Sequence, residues 1–148
     1  FLGDPSPIAA DIALQMKKLE NATSCNTGLY LNIAVNYGGR DEIIRAVKGI
    51  LKATTNNQID IETLTEKTFE AFLDTSGQSD PDLIIRTAGE LRLSNFLTWQ
   101  SSYSEFYFTK LTWPEFYPRD LSKALLEYAQ RRRKFGKETT SIFRRKKF

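Results

Sequence analysis

Two arginines and a serine fall within nine residues, Arg86-Thr87-Ala88-Gly89-Glu90-Leu91-Arg92-Leu93-Ser94, and a single carboxylate, Glu105, interrupts the aromatic run Tyr103 to Phe108 further on. Guanidinium forks match phosphate oxygens bidentately, so Arg86 and Arg92 with the Ser94 hydroxyl read as an anion site, and a diphosphate makes use of both forks. Each charge-assisted hydrogen bond contributes about 1.5–3 kcal/mol, enough for two arginines to hold a small substrate by its head. A carboxylate among aromatic side chains is costly unless it is paired or bound to a cation. An Mg²⁺ ion shared between Glu105 and the diphosphate would satisfy both, since this ion takes one or two carboxylates together with phosphate oxygens. A structural reading competes: Arg86 and Arg92 pair with Glu90, Asp82 or Glu105 at a strand end, and Glu105 pairs with an arginine.

The elements that would position these groups follow from the pattern. Leu83-Ile84-Ile85 is short and β-branched, reads as a buried strand, and ends at Arg86, the carboxyl end where ligands sit in open α/β sheets. The Ser94 region is predicted to open a helix whose free N–H groups attract the same anion. Upstream, a helix is expected over 8–21, with Ile8, Ile12, Met16 and Leu19 on a buried face, and a strand covered on both faces over Leu29 to Val35. Gly38-Gly39 then leads into a helix over 42–54 with Ile43, Ala46-Val47 and Ile50-Leu51 inward. That glycine pair could let backbone N–H groups approach a phosphate, or it could mark a tight turn that needs φ > 0, with Arg40 structural rather than ligand-binding. A second helix is expected over 62–73. Trp113 to Pro118 is read as an aromatic connector packed in the core, and Asp120 as the N-cap of a last helix reaching about Phe135, with Gly136 as its stop. The alternation implies an α/β fold, a mostly parallel sheet flanked by helices.

Composition removes several alternatives. The chain has 148 residues, 41% hydrophobic and 26% charged, as expected of one globular domain, with no apolar run near the ~18 residues of a membrane span and no signal-peptide pattern. With one cysteine, Cys25, and no histidine, it can form neither an internal disulfide nor a multi-cysteine zinc site, and it lacks the parts for Ser-His or Cys-His nucleophilic chemistry. A cytoplasmic protein is expected. Residues 131–148 hold nine Lys or Arg and one Glu, net +8, which leaves residues 1–130 at net −5 of the overall +3. The tail, 137–148 in particular, reads either as a solvated, disordered end or, with Ile142, Phe143 and Phe148, as a peripheral contact for anionic lipid. The acidic body argues against nucleic acid as a partner.

The residues also carry a family resemblance. Asp82-Leu83-Ile84-Ile85-Arg86-Thr87-Ala88-Gly89-Glu90, then Arg92 to Leu97, Trp99-Gln100, Tyr103, Glu105 and Tyr107-Phe108, resemble the C-terminal signature of the cis-prenyltransferases. Leu31 to Ala34, Asn36-Tyr37-Gly38-Gly39-Arg40 and Glu42-Ile43 before it, and Trp113-Pro114 and Arg132-Arg133-Lys134-Phe135-Gly136 after it, extend the likeness over about residues 3–136. The resemblance implies a transferase that condenses isopentenyl diphosphate onto an allylic diphosphate with cis geometry and works as a homodimer. It implies that Arg86, Arg92, Leu93 and Ser94 hold the isopentenyl diphosphate and that Glu105 helps place Mg²⁺. Two departures stand out. The family usually has Ser or Gly at the position of Ala88, and its Asp-Gly-Asn-Arg-Arg motif, which supplies the principal metal ligand and binds the allylic diphosphate, is absent from this sequence. With Phe1 as the first residue, the expectation is therefore a C-terminal half, residues 1–136 being part of one incomplete domain and inactive alone. The alternative is a non-catalytic subunit or binding module that relies on a partner carrying the missing motif.

Overall fold

The computed structural model describes residues 1–131, and among them the chain divides into two compact units: Phe1–Asp80 with Leu93–Ser102, and Pro81–Arg92 with the chain from Tyr103 onward. Helices α1 (Ala10–Thr23), α2 (Gly39–Thr55) and α3 (Glu66–Glu70) belong to the first unit. Strands β1 (Leu83–Arg86) and β2 (Glu105–Phe108) and helix α4 (Pro118–Gln130) belong to the second. Short 3₁₀ turns occupy Ile61–Thr63 and Trp113–Glu115. This is the expected α/β class, and its sheet is parallel.

In the second unit β1 and β2 pair in parallel with Leu83 opposite Glu105, Ile84 opposite Phe106, Ile85 opposite Tyr107 and Arg86 opposite Phe108. The β-branched run forms the predicted strand, with Ile84 buried, and Arg86 is its last residue. Beyond it the backbone turns through Ala88 at φ 62° and Gly89 at φ 71°. The left-handed region is natural for glycine but costs an alanine roughly 1 kcal/mol. The consequence of Ala88 is thus conformational as well as the loss of a possible hydroxyl. Ala88 and Gly89 donate their N–H groups to the carbonyls of Leu111 (2.7 Å) and Thr109 (2.8 Å), which hold the turn.

Helix α4 begins at Pro118, two residues before the expected N-cap, because proline at the first helical position has no N–H to leave unsatisfied. Asp120 instead sits one turn in and accepts from the Tyr117 N–H at 3.0 Å, the capping-box position. The helix ends at Gln130 rather than near Phe135, since Arg131 is extended (φ −76°, ψ 140°), and Ala124 is its buried residue. Arg132 to Gly136 and the basic tail lie outside the described residues. The Trp113 to Pro118 connector is not core: Trp113 and Tyr117 are exposed, and Trp113 stacks on Phe116 at 6.4 Å between ring centroids.

In the first unit α2 is the organising helix. Glu42, Ala46, Ile50 and Ala53 are buried at helical spacing, with Leu2 and Leu73 also in the core, while Val47 and Leu51, expected inward, are exposed. Three expectations fail here. Helix α1 buries no residue, and Ile12 and Leu19 of its predicted inner face are exposed. Leu29 to Val35 is not a strand: one isolated bridge joins Ala34 to Leu2, and Leu29, Tyr30 and Leu31 are largely exposed. A strand needs a ladder partner, and none pairs with this segment among the described residues. The helix over 62–73 shrinks to α3 because two caps cut it: Asp60 accepts from Glu62 N–H, and Thr65 accepts from Thr68 N–H, with Leu64 extended between them. No helix among the described residues is long and apolar enough to cross a membrane.

Candidate functional site

Arg86 and Arg92 lie in the second unit, Leu93 and Ser94 in the first. At the carboxyl end of β1 the Arg86 side chain leaves its Nε buried without a hydrogen-bond partner. A buried N–H on a cation without an acceptor is costly, and an anionic ligand would remove that cost. Arg92 is in a different situation, about two-thirds exposed and ion-paired with Glu90. Arg92 thus has one of the acidic partners that the structural reading named, while Arg86 keeps an unsatisfied donor.

Glu105 opens β2, about one-third exposed, and its Oε2 accepts from Arg131 Nη1 at 2.9 Å. Arg131 also donates to the Phe106 carbonyl at 2.8 Å and to Glu127 at 2.8 Å, and its bonds to Glu127 and Glu105 raise its pKa. This is the arginine pairing that the sequence left open for Glu105. Among the described residues no three or more His, Cys, Asp or Glu side chains gather to hold a metal. The donor set fits Mg²⁺ only as one carboxylate that shares the ion with substrate oxygens and water, a coordination this ion commonly adopts.

The segment after Arg92 departs most from expectation. Ser94 (φ 51°), Asn95 (φ 64°) and Leu97 (φ 44°) are all left-handed, so no helix opens here and no helix N-terminus faces a ligand at Ser94. Residues 94–103 form a run of turns. Several non-glycine residues with positive φ in one loop are strained, and such conformations persist when their surroundings over-determine them. Here the surroundings come from α2. Gly39 N–H donates to the Asn95 carbonyl at 2.7 Å, and Arg40 N–H donates to Asn95 Oδ1 at 2.9 Å. Phe96 packs edge-on against Tyr37 at 5.8 Å, and Phe69 packs against Trp99 at 4.5 Å.

Both sequence readings of the glycine pair are thereby corrected. The N–H groups of Gly39 and Arg40 are taken by Asn95, so they are not open to a phosphate, and neither glycine has positive φ. Glycine is needed for closeness instead. A Cβ on Gly38 would lie 2.7 Å from Asn95 Nδ2, and one on Gly39 would lie 2.3 Å from Thr98 Oγ1. Arg40, Leu93, Asn95 and Thr98 line an open concavity of about 320 Å³.

Behind this loop is a buried polar cluster that the sequence motif contained without revealing its purpose. The Glu42 carboxyl, 1% exposed, accepts from Tyr37 Oη at 2.6 Å, from Asp74 N–H at 2.9 Å, and from Gln100 Nε2 at 3.2 Å to each oxygen. Gln100, 2% exposed, also donates to Thr75 Oγ1 at 2.9 Å. Burial, reinforced by the bond to Glu42, pushes the Tyr37 hydroxyl well above its usual pKa and keeps it a donor. Beside the cluster Arg45 grips both oxygens of Asp74, at 2.6 and 2.7 Å, and Asp74 also accepts from Gly3 N–H at 2.8 Å. The Arg45 guanidinium holds the Asp74 carboxyl below its ordinary pKa.

Comparison with known proteins places this geometry. A profile described as "Putative undecaprenyl diphosphate synthase" matches residues 1–136. An isoprenyl transferase of Clostridium tetani is 47% identical over 135 residues, 91% of this chain and 53% of that protein. A ditrans,polycis-undecaprenyl-diphosphate synthase ((2E,6E)-farnesyl-diphosphate specific) of Buchnera aphidicola is 46% identical over 136 residues, 92% of this chain and 55% of that protein. The crystal structure of lavandulyl diphosphate synthase from Lavandula x intermedia, in complex with dimethylallyl diphosphate, aligns with a TM-score of 0.88 and 38% identity, over 92% of this chain and 58% of the other. The chain spans about half the length of the curated relatives it matches. With a family profile covering almost the whole chain and relatives near half identity, the protein belongs to the cis-prenyltransferase family, that of the undecaprenyl diphosphate synthases.

Proposed function

We propose that this chain supplies the isopentenyl diphosphate site of a transferase that adds isopentenyl diphosphate to an allylic prenyl diphosphate with cis geometry, giving a polyprenyl diphosphate. The observation that carries the assignment to particular residues is the buried, unpartnered Nε of Arg86 at the carboxyl end of β1. Family membership supplies the substrate class. Arg86 binds diphosphate oxygens through its fork, and the family likeness adds Leu93 and Ser94 to the residues proposed for the same substrate. Arg92 joins them by exchanging Glu90 for the more highly charged diphosphate. Glu105 would hold Mg²⁺, and the ion would supply charge neutralisation for the phosphate oxygens.

These residues orient the isopentenyl substrate by its head and leave its alkene free to attack. Bond making at the allylic carbon, with the C–O bond to the allylic diphosphate breaking and a proton leaving C2 of the isopentenyl unit, needs a second diphosphate site. No Asp-Gly-Asn motif occurs in this sequence, so that site is proposed to come from elsewhere, and the chain alone is expected to bind without turnover. A homodimer in a cytoplasmic setting, with peripheral contact to anionic lipid, completes the reading.

Calorimetric titration of the 148-residue chain with isopentenyl diphosphate, with and without Mg²⁺, tests it. Removing one charge-assisted grip costs about 1.5–3 kcal/mol, so Arg86→Ala should weaken binding at least about tenfold. Arg92→Ala should weaken it less, because that guanidinium must first leave Glu90. Unchanged affinity in both variants would refute the site.

A further inference from the structure

We infer that Asn95 is a positioning residue for the Ser94 hydroxyl, acting as a cap on helix α2 supplied from a distant part of the chain. The inference rests on the reading of Ser94 as a diphosphate ligand and adds a residue to it. Helix α2 begins at Gly39, and its own N-cap, Gly38, has no side chain with which to accept from the first-turn N–H groups. Asn95 takes that role across 55 residues of sequence: its carbonyl accepts from Gly39 N–H and its Oδ1 from Arg40 N–H. Capping ordinarily uses the residue just before the helix. Here the helix end and the loop stabilise each other.

The consequence for Ser94 is geometric. Ser94 and Asn95 are consecutive left-handed residues, so the Ser94 hydroxyl has its direction only while Asn95 stays in place. Asparagine tolerates that backbone better than other non-glycine residues, and its amide reaches the helix end. Gly38 and Gly39 make the approach possible, since a Cβ on either would overlap Asn95 or Thr98. Gln100, anchored on Glu42 and Thr75, fixes the far end of the same segment. The loop is thus tied at two points, and Ser94 is adjacent to the nearer one.

Isopentenyl diphosphate affinity across a double-mutant cycle tests this, using wild type, Ser94→Ala, Asn95→Gly and the double variant. Glycine accepts φ 64° without strain, so Asn95→Gly removes the Oδ1 bond to Arg40 N–H, keeps the carbonyl bond to Gly39 N–H and spares the backbone. Thr65→Ala, which removes the N-cap of α3, serves as a control for a comparable loss of stability in the same unit. Asn95→Gly should weaken binding about tenfold, Thr65→Ala should leave it unchanged, and hydrogen exchange at the Arg40 amide should accelerate in Asn95→Gly alone. Because Asn95 acts through Ser94, the double variant should bind no more weakly than the weaker single variant. Wild-type affinity in Asn95→Gly, or losses that multiply in the double variant, would overturn the inference and leave the diphosphate site standing. Absence of isopentenyl diphosphate binding by the wild-type chain would overturn that site and this inference with it.

Discussion

Gly39→Ala sets two effects of opposite sign against each other. Helix propensity favours alanine over glycine by up to about 1 kcal/mol in a helix interior, and less at the first helical position that Gly39 occupies. Taken alone, that preference predicts a more stable protein. Packing predicts the reverse. The new Cβ would stand 2.3 Å from Thr98 Oγ1, 2.8 Å from Thr98 Cβ and 2.8 Å from the Thr98 backbone nitrogen. Ordinary contact begins near 3.4 Å, so even after the hydroxyl rotates away the Thr98 backbone must recede by about 0.6 Å. That backbone follows directly on the strained Leu97 and is tied to α2 through Asn95, so it cannot recede without stretching the Gly39 and Arg40 bonds. Overpacking of this kind costs about 1–3 kcal/mol, which exceeds the propensity gain and leaves a net loss of about 1–2 kcal/mol. Urea denaturation followed by circular dichroism measures the difference. Gly28→Ala, where a Cβ meets nothing within 4 Å, is the control and should lose no stability. A Gly39→Ala variant as stable as wild type, or more so, would show that the Ser94–Thr98 segment is not held against α2 as described.

Two further outcomes follow from the same unit. Glu42→Ala leaves Tyr37 Oη, Asp74 N–H and Gln100 Nε2 without their buried acceptor and should cost at least about 3 kcal/mol by denaturant titration; a loss below about 1 kcal/mol would refute the cluster's structural role. Asp74, held below its ordinary pKa by Arg45, contributes stability that is present above the unfolded aspartate value of about 3.9 and is lost as pH falls below it. Melting temperatures between pH 6 and pH 3 should therefore fall more steeply for wild type than for Asp74→Asn, and parallel slopes would exclude that coupling.

Sequence alone determined what depends on neighbours along the chain. Leu83-Ile84-Ile85 became β1 because a short β-branched run has few other options, and α2 formed because its apolar residues recur at helical spacing. Arg86 at the end of that strand was legible for the same reason, and the aromatic run around Glu105 became β2. The motif that carries the family likeness could be read without knowing what each residue touches.

Tertiary structure decided whatever depends on partners distant in sequence. Leu29 to Val35 has a strand's composition but, lacking a ladder partner among the described residues, stays largely exposed. Ser94 to Leu97 has no glycine to announce a left-handed path, so its turn conformation could not be read locally; hydrogen bonds to α2 and the Tyr37 ring impose it. Gly38 and Gly39 looked like a phosphate loop or a tight turn, and only the approach of Asn95 and Thr98 shows why side chains are excluded there. Glu105 could equally have faced a cation or an arginine, and only the fold shows that Arg131, just past the end of α4 at Gln130, donates to it. Periodicity and propensity are properties of short segments, whereas the conformation of a binding loop is set by the donors and acceptors that folding brings to it.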